Sequence, residues 1–186
     1  MKLVIVGGTG LVATELIKQS LAMPEITSIV AVARKPVQLE ADAVNESKFK
    51  SVVIRDYEEY PDTLKGGLSG ADACIWLSKF DFAEVKRIMR GETEKILQEF
   101  GAEHREVDVH IVRPGMVWSS ITFWRSVQAN IFRATNVLTR VIPNISLTEL
   151  SAAILDQVVR GFEKEALSNA DLVRIGGAAL KKKAKA

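Results

Sequence analysis

The stretch that decides the fold is Leu3-Val4-Ile5-Val6-Gly7-Gly8-Thr9-Gly10-Leu11-Val12-Ala13. Leu3 to Val6 is a short, mostly β-branched apolar run without polar alternation, the pattern of a parallel strand buried on both faces. It enters a glycine-rich turn, after which Leu11, Val12, Leu16, Ile17 and Leu21 recur at helical spacing. Strand, glycine turn and helix together give the Gly-x-x-Gly-x-x-Ala pattern a physical meaning. Gly7 then makes the tight turn, Gly10 lets a phosphate approach the backbone, and Ala13 keeps the helix near the strand. The helix N-terminus offers unpaired N–H groups to an anion. A tight turn that binds nothing would look the same, so fold and ligand are separate conclusions.

The bulk numbers describe an ordinary globular protein. The chain has 186 residues, 47% hydrophobic and 26% charged, enough for one domain with a sizeable core. The net charge of +2 comes from the end of the chain. Without Lys181, Lys182, Lys183 and Lys185 the balance is 21 basic against 23 acidic residues. We therefore expect residues 178–186 to be a basic, disordered tail, with nucleic acid not a partner. The single cysteine, Cys74, cannot form an internal disulfide, which suggests a cytoplasmic protein. Residues 1–7 lead into a core strand and read as no signal peptide. No apolar run reaches membrane-spanning length, so no membrane association is expected.

Strand and helix patterns alternate along the rest of the chain. Ile26 to Ala33, Phe49 to Asp56, Ala73 to Leu77 and Val107 to Val112 read as strands, and Leu172 to Ile175 as a last one. A short helix is expected between Tyr57 and Gly70. Longer ones span Phe82 to Phe100 (with Gly101 as a stop), Ile121 to Val141, and Thr148 to Glu163 (with Thr148 as a cap). The pattern predicts an α/β protein: a Rossmann-like doubly wound parallel sheet of about six strands, a single domain over residues 1–177.

Several separated pieces resemble one family. They are Gly7-Gly8-Thr9-Gly10-Leu11-Val12, the basic end of strand two, Asp56 after strand three, Arg113-Pro114-Gly115-Met116-Val117, and Thr148-Glu149-Leu150-Ser151-Ala152-Ala153. In this order they are similar to the atypical and extended short-chain dehydrogenase/reductases, in particular the small fungal NAD(P)-binding, epimerase-like proteins. The resemblance implies a cofactor held by Gly7, Thr9, Gly10, Leu11 and Val12. It implies further contacts from Asp56 and Tyr57 at the adenine and from Ser78 along the edge of strand four. A basic residue at the end of strand two accommodates a 2′-phosphate. With Arg34-Lys35 there, the cofactor is NADP(H) if one is kept.

The sequence departs from that family at the nicotinamide end. Hydride transfer there relies on a tyrosine with a lysine four residues later, which lowers its pKa. The two tyrosines of this chain, Tyr57 and Tyr60, lie upstream of the helix that should carry the pair, and neither is followed by such a lysine. Lys86 and Arg90 fall where the tyrosine and lysine would sit, and a lysine in an ordinary environment is too basic to replace a phenol. The stretch from Phe82 to Glu94 reads as two family helices fused into one, a loss of about one βα unit, roughly 30 residues. Leu77-Ser78-Lys79-Phe80 also lacks the usual glycine beside the nicotinamide.

What remains at the C-terminal strand ends is apolar. Ser78, Met116, Trp118, Phe123 and Trp124 are the candidate substrate pocket, and the expected partner is an apolar small molecule. Aromatic residues on the 121–141 helix suggest a homodimer. No His/Cys/Asp/Glu spacing suggests a metal, and His104 and His110 read as solvated and structural rather than catalytic. Three functions follow: a non-redox enzyme such as an isomerase or cyclase, including pericyclic chemistry; an NADP(H)-dependent oxidoreductase with an unconventional proton donor; and a non-catalytic NADP(H)-binding sensor. The first is the leading expectation.

Overall fold

A computed structural model describes residues 1–39, 43–55, 62–77, 86–118 and 144–184, and the chain divides into two compact units, Met1–Lys79 and Phe80–Ala186. The first unit runs β1 (Lys2–Val6), α1 (Leu11–Leu21), β2 (Ser28–Ala33), a 3-10 turn (Glu46–Lys48), β3 (Phe49–Val53), α2 (Asp62–Leu68) and β4 (Ala73–Trp76). Its four strands form one parallel sheet in the order β3-β2-β1-β4. This is the Rossmann-like α/β arrangement expected from the sequence. β2 and β3 grow to one side of β1 and β4 to the other, so β1 stands where the winding reverses.

The apolar run dictates why β1 is central. Val4 and Val6 register with Val30 and Val32, and these pack with Ile54 and Leu64 into one cluster. Leu3, Ile5, Ile29 and Ala31 point the other way by strand alternation and are fully buried. From α1, Ala13, Leu16, Ile17 and Leu21 are also buried. Each fully buried Leu, Ile or Val contributes about 1.5–3 kcal/mol, so this two-faced core anchors the unit.

The second unit runs α3 (Lys86–Glu103), β5 (Ile111–Val112), β6 (Met116–Trp118), β7 (Asn144–Ser146), α4 (Leu147–Arg160), β8 (Ala166–Leu167) and α5 (Asn169–Lys183). Its strands pair two by two in parallel, β5 with β8 and β6 with β7. Among the described residues the main sheet has four strands, and the two further parallel pairs are separate sheets. α4 and α5 pack closely enough that a Cβ at Gly176 would overlap the backbone carbonyl of Glu149. None of the described helices is long and apolar enough to cross a membrane.

Four expectations are corrected here. Leu172 to Ile175 is helical, inside α5. Its signal is the capping box at Ser168, whose Oγ accepts from the Asp171 N–H at 3.3 Å while Asp171 accepts from the Ser168 N–H at 3.1 Å. Lys164 and Ser168 together hold the Asp171 carboxyl well below the usual carboxylate range. α5 continues through Lys183, so much of the stretch read as a tail is helix, with Lys181, Lys182 and Lys183 complementing its C-terminal dipole. Ser146, not Thr148, caps α4, through a capping box with Glu149. Gly101 does not end α3. It lies within the helix, and its missing Cβ leaves room for the side chain of Val109.

Candidate functional site

The glycine turn between β1 and α1 is built by two hydrogen bonds to one acceptor. The N–H groups of Gly7 and Gly8 both donate to the Val32 carbonyl at the end of β2, at 2.9 and 3.2 Å. Gly10 N–H then donates back to the Gly7 carbonyl at 3.2 Å, and the Thr14 N–H starts the helix by donating to Gly10 at 3.0 Å. Each glycine has a different reason. Gly7 has φ +85°, a left-handed conformation, and a Cβ there would overlap the Leu77 carbonyl oxygen. At Gly8 a Cβ would lie 3.0 Å from Val37 Cγ2 and 3.2 Å from Ala31 Cβ. At Gly10 the Gly7 carbonyl oxygen, at 3.6 Å, is the one atom of the described residues near the Cβ position.

That openness sits at the positive end of a helix. Gly10 occupies the N-cap with φ −80° and ψ 160°, with no side-chain cap and no acidic residue in the first turn. The N–H groups of Leu11, Val12 and Ala13 precede the first intrahelical bond and have no partner among the described residues. Thr9 and Leu11 are exposed, Val12 is half-buried, and Ala13 is fully buried. The geometry suits a phosphate: donors without a partner among the described residues, dipole potential and a glycine whose Cβ direction none of those residues blocks.

Arg34 and Lys35 follow β2 directly. Both are exposed, and neither has an ion-pair partner among the described residues. These two exposed cations stand close along the chain to Val32, which ties the glycine turn. The residues present therefore fit the phosphates of a dinucleotide carrying a 2′-phosphate. Asp56, Tyr57 and Ser78, assigned by resemblance to the adenine and the cofactor edge, lie outside the described residues.

The substrate-pocket residues are brought together only in part. Met116 and Trp118 occur two apart on β6, hence on one strand face, with Met116 49% exposed. Phe123, Trp124 and the 121–141 helix lie outside the described residues. The Arg113-Pro114-Gly115 motif is structural. Arg113 donates to both oxygens of Glu94, at 2.6 and 3.3 Å, and Gly115 N–H donates to Asn169 Oδ1 at 2.8 Å. The histidines are stacking residues. His104 lies on Phe100 and His110 on Phe162, each with ring centroids 4.1 Å apart. Cys74 is on an exposed face of β4, yet its surroundings desolvate the thiol and push its pKa up, opposite to what a nucleophile needs. Among the described residues no three His, Cys, Asp or Glu side chains group as a metal site.

Sequence reasoning missed Gly8, Val37 and Ser51. Val37 covers Gly8, and its N–H donates to Ser51 Oγ on β3 at 2.9 Å. No local pattern announces a bond fourteen residues long.

No family profile matches the chain, and no curated protein is similar to it in sequence. Among solved structures it is similar to the PhqB reductase domain from Penicillium fellutanum. The TM-score is 0.54 and the identity 14%, over 91% of this chain and 67% of that one. The likeness is one of fold.

Proposed function

We propose that this chain is a dinucleotide-binding protein on a short-chain dehydrogenase/reductase scaffold, which holds NADP(H) by its phosphates without the usual tyrosine–lysine pair. One observation carries the reading. Among the described residues the N–H groups of Leu11, Val12 and Ala13 have no partner, nothing but the Gly7 carbonyl oxygen lies near a Gly10 Cβ, and the strand that anchors this turn runs into the exposed Arg34 and Lys35, which have no ion-pair partner there. The fold shared with a fungal reductase domain agrees with it.

The chain's own residues then divide the work. The α1 N-terminus binds the pyrophosphate, with Gly10 giving it backbone-close access. Arg34 and Lys35 take the 2′-phosphate, Arg34 through a guanidinium fork suited to it. NADP(H), when bound, supplies a hydride to a reductase; no described residue of this chain is placed to move the accompanying proton. Arg34→Ala is expected to weaken NADPH binding about tenfold and to leave NADH within about twofold, the scale of one charge-assisted contact. Calorimetric titration of both nucleotides checks this, and equal losses for the two would refute the assignment.

A second reading concerns the reaction. The absence of any Tyr-x-x-x-Lys in the sequence favours a non-redox isomerase or cyclase. Such an enzyme shapes an apolar substrate and places a few hydrogen bonds. Met116 and Trp118, together on one face of β6, are its proposed lining. Loss of the reduced nicotinamide absorbance in the presence of any carbonyl substrate would rule this out in favour of a reductase with an unconventional proton donor.

A further inference from the structure

Behind the basic pair lies a corner made of small residues. Ala31 on β2 and Ser51 on β3 are register partners and face the same side of the sheet. The Cβ of Ala31 lies 3.2 Å from where a Gly8 side chain would begin, and Val37 Cγ2 lies 3.0 Å from the same point. Val37 therefore rests on a floor of Gly8, Ala31 and Ser51 that any larger side chain would fill. Its N–H is held by Ser51 Oγ at 2.9 Å.

Arg34-Lys35-Pro36-Val37 explains what that bond does. Pro36 restricts Lys35 to extended backbone and has no N–H of its own. The first backbone donor after the basic pair is thus Val37 N–H, and Ser51 is the group that takes it. The strand fixes one end of the pair at Ala33, whose carbonyl accepts from the Ile54 N–H at 3.0 Å. Ser51 fixes the other end, against the same glycine turn that offers the phosphate donors.

We propose that Ser51 is a positioning residue for nucleotide specificity. By clamping Val37 it presents Arg34 and Lys35 to a 2′-phosphate without touching the nucleotide itself. This rests on the nucleotide-binding reading above. A half-buried serine that merely stabilised β3 would affect both nucleotides alike, so the test turns on their difference.

NADPH and NADH are titrated calorimetrically into the wild-type chain, Ser51→Ala, Ser51→Thr, and the Arg34→Ala/Lys35→Ala chain with and without Ser51→Ala. Ser51→Ala is expected to weaken NADPH about fivefold and NADH less than about twofold, the loss of one hydrogen bond acting through the cations. Ser51→Thr keeps the hydroxyl and restores NADPH binding. Without the basic pair, Ser51→Ala makes no further difference to NADPH. Amide hydrogen exchange at Val37 accelerates in Ser51→Ala, which reads the clamp with no ligand present. Equal weakening of both nucleotides, an additive effect on top of the basic-pair substitutions, or unchanged Val37 exchange overturns the proposal alone. A wild-type chain that takes up neither nucleotide overturns the nucleotide-binding reading and this proposal together.

Discussion

Gly7→Ala should destabilise the fold by about 3 kcal/mol or more, the largest loss expected from a one-carbon change in the first unit. Two costs add. The backbone at Gly7 has φ +85°, which a non-glycine residue adopts at about 1–3 kcal/mol. The new Cβ also overlaps the Leu77 carbonyl oxygen, and relieving that overlap displaces backbone at the end of β4, at about another 1–3 kcal/mol. Leu77 cannot simply swing aside, because its N–H donates to the Val6 carbonyl at 3.0 Å. Urea unfolding measures the loss. An unchanged midpoint would mean that the β1–α1 turn is not built as described.

Gly10→Ala should do the reverse, sparing the fold and removing the ligand. Its φ of −80° and ψ of 160° suit any residue, and the nearest atom to the new Cβ is the Gly7 carbonyl oxygen at an ordinary 3.6 Å. The stability change is expected to stay within about 1 kcal/mol, since glycine is only a fair N-cap and alanine a poorer one. The methyl group then stands where a phosphate must approach the α1 N-terminus. Losing close contact with those donors should weaken NADPH binding by about 30-fold, roughly 2 kcal/mol. Two glycines three residues apart thus carry opposite predictions, one structural and one functional. If Gly10→Ala binds NADPH as the wild type does, the phosphate lies elsewhere.

How much of this was legible in the sequence depends on the range of the interaction that decides each element. β1, the glycine turn and α1 were readable because an apolar run, a turn requirement and a helical period are all local signals. The same holds for β2 and its cationic end. Leu172-Val173-Arg174-Ile175 misled because β-branched residues resemble a strand over four positions. The capping box opened at Ser168 settles it, since Leu172, Ile175 and Gly176 are buried at helical spacing. The three-residue strands β6 and β7 are too short for a period to register, and each exists only because the other pairs with it. Gly101 was misread because glycine has two uses, and here it makes room for Val109 rather than a left-handed cap.

The candidate site shows the same division. Gly7, Gly10, Ala13, Arg34 and Lys35 could be nominated from sequence because their proposed roles rest on residue type at fixed spacing along one βαβ unit. The Ser51–Val37–Gly8 corner was not, because a hydroxyl on β3 meets a loop amide only once the sheet is assembled. Desolvation pushes the Cys74 pKa up, and the two histidines stack on phenylalanines.

On the proposed function, the α1 N-terminus and the basic pair together select NADP(H). The most direct test is calorimetric titration of NADPH and NADH into the unsubstituted chain under identical conditions. Saturable binding of one NADPH per chain is expected, about tenfold or more tighter than NADH. Equal affinity for the two nucleotides, or no NADPH uptake at millimolar concentration, would contradict it.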